Sequence, residues 1–264
     1  DPGMAEAVWR YLVWLHNQMD AVSAPSRDLA EELAERGVDP DRIRLCPRDV
    51  DLVRFAPARR NGFYASRLGL PAVDGLLAHH AADLLGPGGE GIFAVLDDLR
   101  RQGLARKVGL SVYTGADIDA ALDRYDFDLI QVPANVLDQR LLSGGQLGRL
   151  RERGVEVHLR SVFLQGLLLM DPAAAPPYFE PVRPRLAAWR SALAERGLTP
   201  AQGALAFARS LEGVSVVLVG VESAAQLAAN VADFAAARAA GLAFAAFALD
   251  DEKYVNPGKW NLAA

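Results

Sequence analysis

The chain has 264 residues, 51% of them hydrophobic, and 28 Lys and Arg against 33 Asp and Glu give a net charge of −5 at pH 7. That composition excludes a disordered chain and argues against a nucleic-acid-binding or polybasic membrane protein. One cysteine, Cys46, cannot form an internal disulfide, and no apolar run reaches membrane-spanning length without charge, so a reducing cytoplasm is the expected setting. The opening Asp-Pro-Gly-Met lacks a basic region followed by an apolar core, so it is not read as a signal peptide, nor does it look like a natural beginning.

Residues 1–64 read as an α-β-α-β segment. A tryptophan-bearing helix over 8–19 leads into a strand over 21–25, then a helix over 27–36 that stops at Gly37, then a strand over 42–47. A polar, arginine-bearing connection fills 54–62. From residue 73 short apolar runs alternate with longer amphipathic stretches. Strands are expected over 73–79, 107–112, 127–133, 155–163 and 214–221, with helices over 92–104, 116–124, 147–153, 199–211 and 224–239. Gly103 and Gly154 stand just past helices, where a left-handed residue is wanted. Thr199 suits an N-cap with Pro200 in the first turn, and Ser223 suits the N-cap of the last helix. The five prolines of 172–184 mark a rigid loop before a long helix.

This rhythm predicts an α/β fold: an incomplete β/α barrel of the TIM type, with five parallel β/α units in residues 65–264 behind the N-terminal segment. Seven strands are too few for eight, so one side of the sheet is expected to stay open. The two early strands would be the only substitutes for the missing ones.

In parallel α/β folds the reactive groups gather at the carboxyl ends of strands. Those ends carry His79, Ser111, Gln131, Ser161 and Gly220, four polar side chains and a glycine on one rim. Past Gly220, Ser223 opens a helix whose free N–H groups could face an anion, and Gln226 and Asn230 follow on roughly one face of it. Two solvated amides behind an ordinary cap would be the bland alternative.

Other signals are weaker. The run Gly86-Pro-Gly88-Gly-Glu-Gly91 fits G-x-G-x-x-G, but six residues separate it from its strand and the next strand ends without an acid. It is read as a loop rather than a dinucleotide fingerprint. His79 and His80 with Asp83 suggest a metal, yet adjacent strand residues face opposite ways, and His16 and His158 have no acidic or thiol partner at ligand spacing. No metal is expected, and Cys46 is read as a small buried hydrophobe.

Taken together, Leu76-Leu-Ala-His79-His80, Lys107-Val-Gly-Leu-Ser111, Leu129-Ile-Gln131-Val-Pro-Ala-Asn135, Val155-Glu-Val-His-Leu-Arg-Ser161 and Gly220-Val-Glu-Ser223 with Gln226 and Asn230 resemble the aldo-keto reductases, from their fourth strand to their cofactor helix. The tail through Asp251, Pro257 and Trp260 is similar to that family's ending. The resemblance implies an oxidoreductase that uses NADP (NADPH) to reduce a small carbonyl substrate, an aldehyde, ketone or sugar. In it His79 would help polarise the carbonyl, and Ser111 and Gln131 would hold the nicotinamide amide. Ser161 and the loop through Gly166 would meet the pyrophosphate, and Gly220, Ser223, Gln226 and Asn230 would serve the adenosine end. Val112 stands where many members have asparagine, and Arg160 where many have a tyrosine stacked on the nicotinamide.

The family's catalytic tyrosine, aspartate and lysine belong to strands that should precede residue 65. There the chain instead resembles a glycosyltransferase of the GT-B type, through Ala24-Pro-Ser26, Glu32-Leu-Ala-Glu-Arg-Gly37 and Arg42-Ile-Arg-Leu-Cys-Pro-Arg-Asp-Val-Asp51. The string Arg67-Leu-Gly-Leu-Pro71 suits both families and is the expected join of a chimeric chain. Impaired carbonyl reduction is the first expectation. A glycosyltransferase-associated fragment and a non-catalytic nucleotide-binding relic are the alternatives.

Overall fold

The computed structural model describes residues 22–24, 31, 34–35, 37–45, 72–221, 223–238 and 241–261. The expected helix over 8–19, His16, Cys46 and the connection 54–62 lie outside them. The chain divides into two compact units, Asp1–Gly69 and Leu70–Ala264.

In the first unit, strand β1 (Val22–Ala24) runs parallel to β2 (Ile43–Leu45), with Val22 opposite Ile43 and Ala24 opposite Leu45. Gly37 takes φ 98° and ends the turn after Ala34, as its place past a helix required. The two strands form a two-stranded parallel sheet.

The second unit is a parallel sheet of β3 (Val73–Ala78), β4 (Ala105–Ser111), β5 (Leu129–Pro133), β6 (Glu156–Arg160) and β7 (Val214–Val217), hydrogen-bonded in that order. Sequential order with every strand parallel is the wiring of a β/α barrel, here five units of it. Among the described residues nothing pairs with the outer edges of β3 and β7.

Helices follow the strands: α1 (Ala81–Leu85), α2 (Gly89–Arg101), α3 (Gly115–Arg124), α4 (Arg140–Ser143), α5 (Gln146–Glu152), α6 (Arg183–Ala194) and α7 (Pro200–Ser210) lie between successive strands, α8 (Ala224–Ala236) comes after the last one, and a short α9 (Glu252–Val255) lies in the tail. Strand alternation separates two faces. Val108, Leu110, Ile130, Val132, Val157 and Leu159 are essentially fully buried, in one core with Ile118, Leu150 and Leu205 of the helices. The other face carries Lys107, Gln131, Glu156, His158 and Arg160. There Lys107 Nζ sits 2.7 Å from Glu156 and 3.2 Å from Asp74, and His158 Nε2 lies 2.6 Å from Glu156. His158 therefore does have an acidic partner. A single residue, Val157, lies between them, and on an extended strand that spacing brings both to the same face.

Several boundaries differ from the sequence expectation for local reasons. The strand expected over 155–163 stops at Arg160, because Ser161 turns to φ 63°. The last strand ends at Val217 rather than 221. The glycine run 86–91 is not a loop: Ala81–Leu85 is helical before it, and Gly88 at φ 83° caps a helix that already includes Gly89 and Gly91. A Cβ on Gly89 would stand 1.8 Å from the Leu84 carbonyl oxygen, so glycine permits the close turn between α1 and α2. The proline-rich stretch folds into 3₁₀ turns, Pro172–Ala174 and Pro177–Val182, and α6 begins inside it.

The caps read from sequence act as caps. Thr199 and Gln202 form a reciprocal capping box, and the Ser223 hydroxyl accepts from Gln226 N at 3.2 Å. Thr114 and Asp117 make a second box at α3 that the T-x-x-D spacing could have announced.

Candidate functional site at the carboxyl ends of the strands

The chain leaves β6 through an unusual turn. Ser161, Leu164 and Gln165 have φ of 63°, 47° and 51°, and they are the non-glycine residues with positive φ among those described. Gly166 follows at φ 86°. Such conformations cost of order 1–3 kcal/mol each and persist where the surroundings dictate them, commonly at ligand sites. Here the surroundings include Asn135, fully buried after β5. Its Nδ2 donates to the Ser161 carbonyl at 3.1 Å, while its Oδ1 accepts from Leu137 N and Asp138 N, both at 3.0 Å.

Around this turn opens a cavity of about 870 Å³. The turn and the end of β6 line part of it; Leu218 to Val221 after β7, Gln131 within β5, and Gln226 and Asn230 of α8 line the rest. The structure thus gathers Gln131, Ser161, Gly166, Gly220, Gln226 and Asn230 around one space. Ser111 is not in the lining; it is buried at the end of β4, in register with Gln131. Ser223 is not in it either, its hydroxyl being spent on the helix cap.

His79 is elsewhere. It directly follows β3, three strands from β6, and is exposed. Because the strand has ended, alternation no longer separates it from His80, and the rings meet edge to face at 4.5 Å. Among the described residues no group of three His, Cys, Asp or Glu side chains is arranged to hold a metal ion.

One lining residue was noted in the sequence only as a departure. Arg160 points its guanidinium over the Tyr113 ring, 4.2 Å from the centroid. It donates to the Val112 carbonyl at 2.9 Å and, at 3.4 Å, to Ser161 Oγ. Burial pulls its pKa below the ordinary guanidinium value, opposed by Tyr113 and by the charge of Asp138. The legible signal was Glu156, His158 and Arg160 at alternate positions of a core strand, which puts three polar heads on one face.

A parallel β/α sheet wired in sequential order, with a cavity at its carboxyl edge, defines a barrel-type α/β protein. The model of the aldo/keto reductase family matches residues 64–238, and the chain belongs to that family. Residues 2–54 match the model of Glycosyltransferase Family 4.

Among solved structures, the fold is similar to an aldo-keto reductase from Bacillus halodurans. Its apo form has a TM-score of 0.59 at 20% identity and its holo form 0.58 at 18%, each covering 98% of this chain and 91% of that one. A Pseudomonas aeruginosa protein named as an aldo-keto reductase matches with a TM-score of 0.45 and 19% identity over 66% of this chain, which spans 54% of that protein's length. No curated protein matches.

Proposed function

We propose that the cavity binds NADP and that the chain is an oxidoreductase of the NADP-linked, carbonyl-reducing kind, with weak turnover. The observation that carries this is the convergence of Gln131, Ser161, Gly166, Gly220, Gln226 and Asn230 on one space. The space suits the group: about 870 Å³ is in the range of cofactor sites, and its polar lining offers amides, a hydroxyl and the Arg160 side chain, with no carboxylate. Family membership and fold support the oxidoreductase role.

When bound, NADPH supplies the hydride. Gln131, with Ser111 beside it in register, would hold the carboxamide. The N–H groups of the turn 161–166 would face the pyrophosphate, and Gln226 and Asn230 the adenosine end. Among the described residues no histidine, tyrosine or carboxylic acid lines the cavity: His79 stands outside it, and the family's tyrosine and lysine have no counterpart in matching sequence context. A positioned general acid is typically worth ~10²- to 10⁴-fold in rate.

The test is NADPH fluorescence on titration with protein, followed by NADPH absorbance in the presence of simple aldehydes. Binding with turnover depressed by that factor against a relative that has the tyrosine is expected. Failure to bind NADPH removes the reading. Turnover equal to that of such a relative would contradict the weak catalysis proposed here.

A further inference from the structure

Even a half-buried cation, as Arg160 is, commonly has a carboxylate partner, because drawing an unpaired charge away from water is costly. Arg160 has none. It donates to a carbonyl and to a hydroxyl, and its other neighbour is Tyr113, whose ring lies against it and whose phenol also favours its charged form. Asp138, the carboxylate whose charge it feels, is gripped by Arg140 through two bonds of 2.8 and 3.0 Å. Arg140 is further tied to Glu252 at 2.7 Å, so Asp138 is not free to turn. The Arg160 guanidinium nevertheless lines the cavity, where no acidic side chain stands with it.

A guanidinium has five N–H donors in a planar fork that matches a two-oxygen anion. Two donors are committed, one of them over a long contact, and Tyr113 holds the plane in place. The fork is thus pre-positioned and short of acceptors at the edge of a ligand-sized space. The geometry points to an oxyanion receptor: Arg160, set on Tyr113, binds a carboxylate or phosphate group of whatever occupies the cavity. This deepens the cofactor reading and rests on it for the identity of the occupant, since the anion belongs either to the substrate, as a carbonyl acid, or to the dinucleotide, as its pyrophosphate. The long Ser161 contact is the one an incoming oxygen would replace.

The test uses the full chain without NADPH. Sodium pyrophosphate and pyruvate are titrated by calorimetry into wild type, Arg160→Met and Arg160→Lys, with methyl pyruvate as the neutral control and NADPH titrated in parallel. At least one anion should bind wild type and bind Arg160→Met roughly 10- to 100-fold more weakly, the usual range for a charge-assisted contact. Arg160→Lys, which keeps the charge and loses the fork, should lie between. A response to pyrophosphate assigns the site to the dinucleotide. A response to pyruvate that methyl pyruvate does not share assigns it to the substrate. The same anion should raise the wild-type Tm and leave that of Arg160→Lys less changed, a comparison that holds even where the Met variant fails to fold. Equal binding of both anions to wild type and variants, or none to wild type, overturns the proposal. NADPH binding intact alongside such a failure leaves the cofactor reading standing. Anion binding through Arg160 without NADPH binding does the reverse.

Discussion

Gly203 and Gly148 are both helical, and intrinsic propensity would favour alanine at either. Their surroundings reverse that at one of them. A Cβ on Gly203 would stand 2.3 Å from Leu193 Cδ2 and 2.8 Å from the Trp189 ring, whereas one on Gly148 meets nothing within 4 Å. Gly203→Ala should destabilise by about 1–3 kcal/mol through overpacking of α6 on α7. Gly148→Ala should stabilise by about 0.5–1 kcal/mol, both read from denaturant melts. Asn135→Ala is expected to cost about 2–4 kcal/mol, since it leaves two buried N–H groups without acceptors. It also frees the Ser161 carbonyl, so NADPH affinity should fall with stability; unchanged affinity would separate the loop from the site.

Single residues were legible where a local rule determines them. Ser223, Thr199, Gly103 and Gly154 follow from capping and left-handed backbone needs, and the structure gives Gly103 and Gly154 φ of 70° and 69°. Asn135 and Arg160 were not legible as site residues, because their roles depend on partners 26 and 48 residues away.

At the scale of elements, all five strands and their parallel order could be read from the alternation of apolar runs and helices, with the starts at Val73 and Val214 and the end at Pro133, but several other ends could not. A strand ends where backbone turns, and at β6 the turn falls on serine, leucine and glutamine, none of which advertises positive φ. The glycine run 86–91 misled in the other direction, since its glycines serve a tight helix–helix junction.

The polar face makes a prediction about acid. Hydrogen bonds from Lys107 and then His158 hold the Glu156 carboxyl below its ordinary range, as those from Lys259 and Arg140 do Glu252. A carboxylate lowered in the folded state stabilises fully above its unfolded pKa, and that contribution is lost as pH falls through the folded value. Tm should therefore decline below the ordinary carboxylate range, around pH 4. Glu156→Gln should lower Tm near neutrality and make the acid decline shallower. A parallel decline in both proteins would mean that the Lys107–Glu156–His158 contacts contribute nothing.

For the molecule as a whole, the sequence reading of an incomplete barrel matches a five-stranded parallel sheet. The two early strands were legible as strands and pair in parallel with each other. No helix among the described residues is long and apolar enough to cross a membrane. The proposed dinucleotide site is the space bounded by the β6 turn and α8. The direct test is NADPH affinity in Gln226→Ala/Asn230→Ala, whose side chains line the cavity from a helix with no buried residue, so the fold should survive their loss. Removing two polar contacts should weaken binding by roughly 5- to 150-fold. Wild-type affinity in the folded double variant would contradict the claim.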